Sequence, residues 1–264
     1  MSTAVQRSGR RPSIRQQVDL GCHLVLRQFR LRYSRSIIGW VWSVIQPLAR
    51  LAVFTFTFKI ILKSKVDNFP EFFFCSLLAW TLFSIGLMSA TLSPVMQREL
   101  LVKPGFPRFM VPLIAVSVDA LDYVITLPIL LGFLALRGHW PAPAILTLPV
   151  FVLLELAFTV GIGYALAAAN AYVRDVRLLV ELALLLLFYV TPVFYEASSV
   201  PAKYRWIIDL NPVAKILESQ RAVLLHGSLP PLGTVVSLVV TATVSLAFGL
   251  FVFGLASPNL ADEV

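Results

Sequence analysis

Residues 72–92 read FFFCSLLAWTLFSIGLMSATL, a run without an acid, an arginine or a lysine. A helix rising 1.5 Å per residue needs about 20 apolar residues to cross a bilayer, so this run alone suffices for one crossing. Outward from it, five more stretches approach or exceed that length: 37–62, 109–136, 144–169, 178–195 and 235–255. Hydrophobic side chains make up 58% of the 264 residues and charged ones 14%, and the mean hydropathy is +0.82. A soluble domain carries about a quarter charged residues, so the bilayer is the solvent here. The expectation is an all-α membrane protein: residues 1–36 ahead of the membrane, then one domain of six transmembrane helices over 37–264. Pro47, Pro112, Pro128, Pro149 and Pro192 fall in or near four of the stretches, where kinks are expected.

The net charge of +8 points to membrane topology rather than nucleic acid, because the basic residues gather at the ends of the apolar stretches. An even number of spans puts both termini on one side. That side holds thirteen Lys and Arg residues against seven on the other, so both termini are expected in the cytoplasm. No short apolar segment with a cleavage site follows Arg7, Arg10 and Arg11, and no cleaved signal peptide is expected. The only cysteines, Cys22 and Cys75, offer neither a disulfide framework nor a metal spacing.

Ile14, Val18, Cys22, Val25, Phe29 and Tyr33 recur every three or four residues with arginines between them, which predicts an amphipathic helix lying in the interface against anionic headgroups. Between the fifth and sixth stretches, Asn211 followed by Pro212 reads as a helix N-cap with proline in the first turn. Val213, Ile216, Leu217, Val223 and Leu224 then form an apolar stripe. A shorter helix over 203–210, with Tyr204 and Trp206, is expected before it. Together they predict a re-entrant or interfacial hairpin and a candidate gate.

Catalysis has little to stand on. No Gly-x-Ser-x-Gly elbow, His-Glu-x-x-His box or Gly-rich nucleotide fingerprint occurs, no glycine precedes a lysine as a phosphate loop requires, and His23, His139 and His226 lie in different regions. Uphill transport would need another subunit or an ion gradient. The ionisable residues within spans, Arg50, Asp119, Asp122, Glu155 and Glu181, are the default functional suspects because each is costly in lipid. Of the aromatics, Trp40, Phe54, Phe58, Phe188, Tyr189 and Tyr195 are candidates to line a path, since ring faces slide along sugars without fixing a register. The 3.6-residue period puts Phe54 and Phe58 on one face.

Four stretches resemble the membrane subunit of polysaccharide ABC exporters, the family that moves O-antigen or teichoic acid chains: Leu31-Arg32-Tyr33-Ser34-Arg35-Ser36 with Gly39-Trp40, Trp42 and Gln46-Pro47; Leu100-Leu101-Val102-Lys103 with Phe106-Pro107-Arg108 and Pro112; Arg174-Asp175-Val176; and Thr191-Pro192-Val193-Phe194-Tyr195 with Leu210-Asn211-Pro212 and Arg221. The resemblance implies a type 2 ABC exporter fold in a bacterial cytoplasmic (inner) membrane, a homodimer with two copies of a separate ATPase. ATP and magnesium would belong to that partner and no cofactor to this chain. The cargo would be a lipid-pyrophosphate-linked glycan, O-antigen, capsule or teichoic acid. The same resemblance makes Gln97, Arg98, Glu99, Leu100, Leu101 and Lys103 the contact with the ATPase, adds Arg174 and Asp175 as a second loop on that side, and places the outer gate at Pro192, Tyr204, Trp206, Asn211 and Pro212. Arg30, Arg32 and Arg35, just ahead of the first span, suit phosphate oxygens bidentately. Rival readings are a drug or lipid exporter of the same fold, a membrane glycosyltransferase, and a proton-coupled carrier using Asp119, Asp122 or Glu155.

Overall fold

A computed structural model describes residues 14–34, 39–63, 66–140, 142–257 and 260, without the side chains of Ile14 and Trp40. Among them are ten α-helices and no strand: α1 (Ile14–Tyr33), α2 (Trp42–Thr55), α3 (Phe69–Met96), α4 (Arg98–Leu101), α5 (Met110–Leu136), α6 (Leu148–Tyr172), α7 (Val176–Val190), α8 (Arg205–Leu210), α9 (Pro212–Leu224) and α10 (Leu232–Ala256). Helix α2 continues into a π-helical turn, Phe56–Ile61, and α6 is preceded by a 3-10 turn, Pro143–Thr147. Five helical segments are long and apolar enough to cross a membrane: Trp42–Ile61, Phe69–Met96, Met110–Leu136, Pro143–Tyr172 and Leu232–Ala256. Each corresponds to one of the stretches expected from the sequence, Trp42–Ile61 lying inside 37–62, of which residues 37 and 38 fall outside the described residues.

The stretch 178–195 differs. Its helix, α7, has 15 residues, about 22 Å, and stops at Val190 instead of running to Tyr195. The cause is Pro192, whose ring crowds the preceding residue out of the α region. Thr191 accordingly turns extended, at φ −82° and ψ 138°.

Helix α3 is apolar all round and buried along most of its length, the condition for a central helix. It packs against α5, α6 and α9. Lipid tails are as apolar as leucine, so close packing of small residues has to hold helices together in a bilayer. Helices α6 and α10 show it: a Cβ on Gly249 would overlap the Gly161 carbonyl oxygen. Gly163 likewise leaves no room for a Cβ beside Ala90 of α3.

Two ends of the bundle follow from polar contacts. At one, Arg137 Nε donates to Glu71 Oε1 at 2.5 Å, tying the end of α5 to the start of α3. At the other, Gln97 before α4 reaches Gln28 of α1 at 3.4 Å, and Arg108 donates to the Ser257 carbonyl after α10. These are called below the hairpin end, which holds α8 and α9, and the α4 end.

Candidate functional site

Near the α4 end, Arg32 in the last turn of α1 reaches across to α5. Its Nη2 stands 2.8 Å from Asp119 Oδ1 and its Nη1 2.7 Å from Asp122 Oδ2. Asp122 Oδ1 also accepts from Tyr33 at 2.8 Å and from Ser43 of α2 at 2.7 Å. One carboxylate thus gathers three elements, and the spacing of three residues from 119 to 122 puts both acids on one helical face. Burial, the largest influence on Arg32, opposes its charge, but the two aspartates outweigh it and hold its guanidinium above the usual value. Burial also pushes the Tyr33 phenol up.

Beside this clamp lies a cleft of about 300 Å³ walled by α2, α3 and α5. Arg50 lines it and is exposed, with no ion-pair partner among the described residues. A bare guanidinium at membrane depth has to face water or protein rather than lipid, which marks that side of α2 as lining a cavity or an interface.

Tyr123 of the same cleft starts a buried chain. Its hydroxyl donates to Gln220 Oε1 at 3.0 Å, and Gln220 Nε2 donates to Glu155 Oε2 at 2.6 Å. The chain joins α5, α9 and α6, so the hairpin is pinned to two spans. Glu181 pairs instead with Arg177 on its own exposed face at 3.1 Å.

The aromatic candidates meet where α2, α3 and α7 converge. Phe54 stacks on Phe58 with ring centroids 5.8 Å apart, and meets Phe188 edge-on at 6.0 Å. Phe194 joins Phe58 and Phe188 at 5.1 and 5.6 Å. Phe69, Phe73 and Trp80 of α3 complete the cluster. Tyr189 is exposed, Tyr195 donates to the Val190 carbonyl at 2.6 Å, and the side chain of Trp40 lies outside the described residues. From the sequence Phe194 was named only within its stretch and not as lining a path, and the α3 rings were not proposed for it. The density of aromatics in 69–80 was the available signal.

At the hairpin end Asn211 does what its sequence predicts. Its Oδ1 accepts from the backbone N–H of Val213 and Ala214 at 2.9 and 3.3 Å, and its Nδ2 donates to Thr191 at 2.9 Å. Pro212 opens α9, whose stripe Val213, Ile216, Leu217, Val223 and Leu224 is buried, as is Pro192. Tyr204 and Trp206 are exposed. A second cleft, about 550 Å³, lies between α9, the start of α3, the end of α5 and the segment after α7. Arg221 lines it, 5% exposed, with its guanidinium 3.9 Å from the Phe72 ring centroid. Burial pulls Arg221 down to about 10, and burial pushes the Glu218 carboxyl up.

At the α4 end, Gln97 separates α3 from α4. Leu101 points into the core while Arg98, Glu99 and Lys103 are exposed and Leu100 is half-buried. Arg174 and Asp175 are exposed before α7, Arg30 is exposed on α1, and Arg35 lies outside the described residues.

Residues 21–225 match the ABC-2 type transporter family. The chain belongs to that family. It is 29% identical over 212 residues to the O-antigen export system permease protein RfbA of Klebsiella pneumoniae, covering 80% of this chain and 82% of that one. To the protein of the same name from Myxococcus xanthus it is 29% identical over 243 residues, 91% and 94% of the two chains. The polysialic acid transport protein KpsM of Escherichia coli is 21% identical over 208 residues, 77% of this chain and 80% of that one. An ABC-2 membrane component with several long apolar helices is a multi-pass transport subunit.

Proposed function

We propose that this chain is the permease of a polysaccharide ABC exporter, working as a homodimer with two copies of a separate ATPase to pass a lipid-linked glycan out through a bacterial cytoplasmic membrane. The likeness over 80% to 91% of this chain to proteins named as O-antigen export permeases carries the reading. The α4 end is cytoplasmic in this account, so α4 with Arg98, Glu99 and Lys103 outward docks on the ATPase, flanked by Arg174 and Asp175. Helix α7 is the fifth of six spans, completed by the Thr191–Pro192 turn and the hairpin dipping back beside it. Unpaired Arg50 supports facing α2 toward the dimer axis, with Phe54, Phe58, Phe188 and Tyr189 along the conduit and Trp40 and Tyr195 at its ends. Arg30, Arg32 and Arg35 receive the pyrophosphate, Arg32 by exchanging carboxylate for phosphate oxygens. The gate is Pro192 with Tyr204, Trp206, Asn211 and Pro212.

Deleting the gene is expected to abolish the strain's surface glycan and to accumulate lipid-linked chains inside. The wild-type gene restores export, but not beside an ATPase unable to hydrolyse ATP. Normal surface glycan in the deletion strain overturns the reading.

A further inference from the structure

The cleft at the hairpin end has a chemistry that the transport reading leaves unused. Asp67 and Asn68 precede α3, Glu196 follows α7, and Glu218 and Arg221 lie one turn apart on α9. His139 and His226 close the sides. Asn68 sits at φ 46°, a left-handed conformation that asparagine tolerates, and its side chain does not cap α3.

Arg221 is the second, independent observation. A guanidinium carries several N–H donors and no acceptor, and buried donors are normally satisfied. Among the described residues, the one hydrogen bond of the Arg221 side chain goes from Nη2 to the Pro192 carbonyl at 3.4 Å. No carboxylate stands within ion-pair distance of it. Arg221, with 5% of its surface exposed, lines the cleft wall and presents there the guanidinium donors that the Pro192 carbonyl leaves free.

Ligand chemistry follows by elimination. No group of three His, Cys, Asp or Glu is close enough to hold a metal ion among the described residues. A simple anion meets three carboxylates for one guanidinium, and a simple cation meets the guanidinium. A hydroxyl both donates and accepts, so a neutral polyol satisfies Arg221, Asn68 and the imidazoles while donating to Asp67, Glu196 and Glu218. About 550 Å³ lies within the usual range of small-ligand sites.

We infer that this cleft binds a neutral sugar unit of the exported chain on the outer side of the membrane, beside the gate. The inference rests on the export reading above. An occupant takes up the Arg221 donors that the Pro192 carbonyl leaves free, so a sugar in the cleft bears on both α9 and the turn after α7.

The test uses the full-length chain in lipid nanodiscs. The probe is short oligosaccharides released by mild acid from the surface polysaccharide of the strain carrying the gene, and the readout is saturation-transfer NMR. Saturable, weak binding is expected, reduced about tenfold or more in Arg221→Lys and in Glu218→Gln, and unchanged in Arg177→Gln. Glu218 is only half-buried, so its variant keeps the test alive if Arg221→Lys fails to fold. No saturable binding by the wild-type chain, or binding at the wild-type level by both cleft variants, overturns the inference. Export in cells is scored separately: a wild-type chain that exports but binds no probe sinks the cleft alone, and one that never exports sinks the export reading.

Discussion

Arg32 and Arg221 are the same side chain in opposite circumstances. Arg32 keeps 36% of its side chain in solvent and still holds two carboxylates at 2.7 and 2.8 Å. Arg221 is 5% exposed and has one carbonyl at 3.4 Å and an aromatic face. Arg32 therefore fastens α1 to α5 by charge, while α9 is fastened to α5 and α6 by the Tyr123–Gln220–Glu155 hydrogen bonds, and its Arg221 has no carboxylate within ion-pair distance among the described residues. A burial that lowers an arginine's affinity for its proton costs folding free energy at every pH below the shifted value. For Arg221 that cost is present up to about pH 10 and relaxes only above it.

The contrast can be broken by substitution, with stability read as the temperature at which buried Cys75 becomes open to a maleimide dye in a Cys22→Ser background. The largest effect is expected from Gln220→Leu, which leaves the Tyr123 hydroxyl and the fully buried Glu155 without their partner: about 3 kcal/mol of destabilisation. Unchanged melting would remove the hairpin's fastening. Next comes Arg32→Met, which strands Asp119. A fully buried pair broken on one side costs about 3 to 5 kcal/mol, and partial solvent access brings this one to about 2 kcal/mol. Arg221→Met sharpens the contrast by its sign: stability is expected to hold or rise by about 1 kcal/mol, as for buried charges replaced by apolar groups. A fall of the size seen with Arg32→Met would make the two arginines equivalent after all. Arg177→Gln, which breaks an exposed pair on one helix, is expected to change stability by less than about 0.5 kcal/mol.

Local signals were legible and distant ones were not. The Asn211 cap reaches only three residues ahead, so its geometry is written in nearby letters, and α3, α5, α6 and α10 end within a few residues of the apolar runs that announce them. The clamp joins residues 90 apart in the chain. Nothing periodic connects Arg32 to Asp119 and Asp122, so from sequence Arg32 counted with Arg30 and Arg35 as a phosphate ligand and the two acids as suspects for proton coupling. Glu155 drew notice as a carboxylate among apolar residues, but its partner Gln220 lies 65 positions away. Arg221 was visible as a charge interrupting the stripe between Leu217 and Leu224. Its isolation depends on which acids fold near it, which only the tertiary arrangement decides.

The short α7 has a consequence for the lipid around it. Fifteen residues rise about 22 Å, against a hydrocarbon core of about 30 Å. Most of its side chains, Leu178, Leu179, Leu182, Leu185 and Leu186 among them, face away from this chain. Wherever that face meets acyl tails, the two leaflets draw toward each other to match it, at a fraction of a kcal/mol per Å of mismatch.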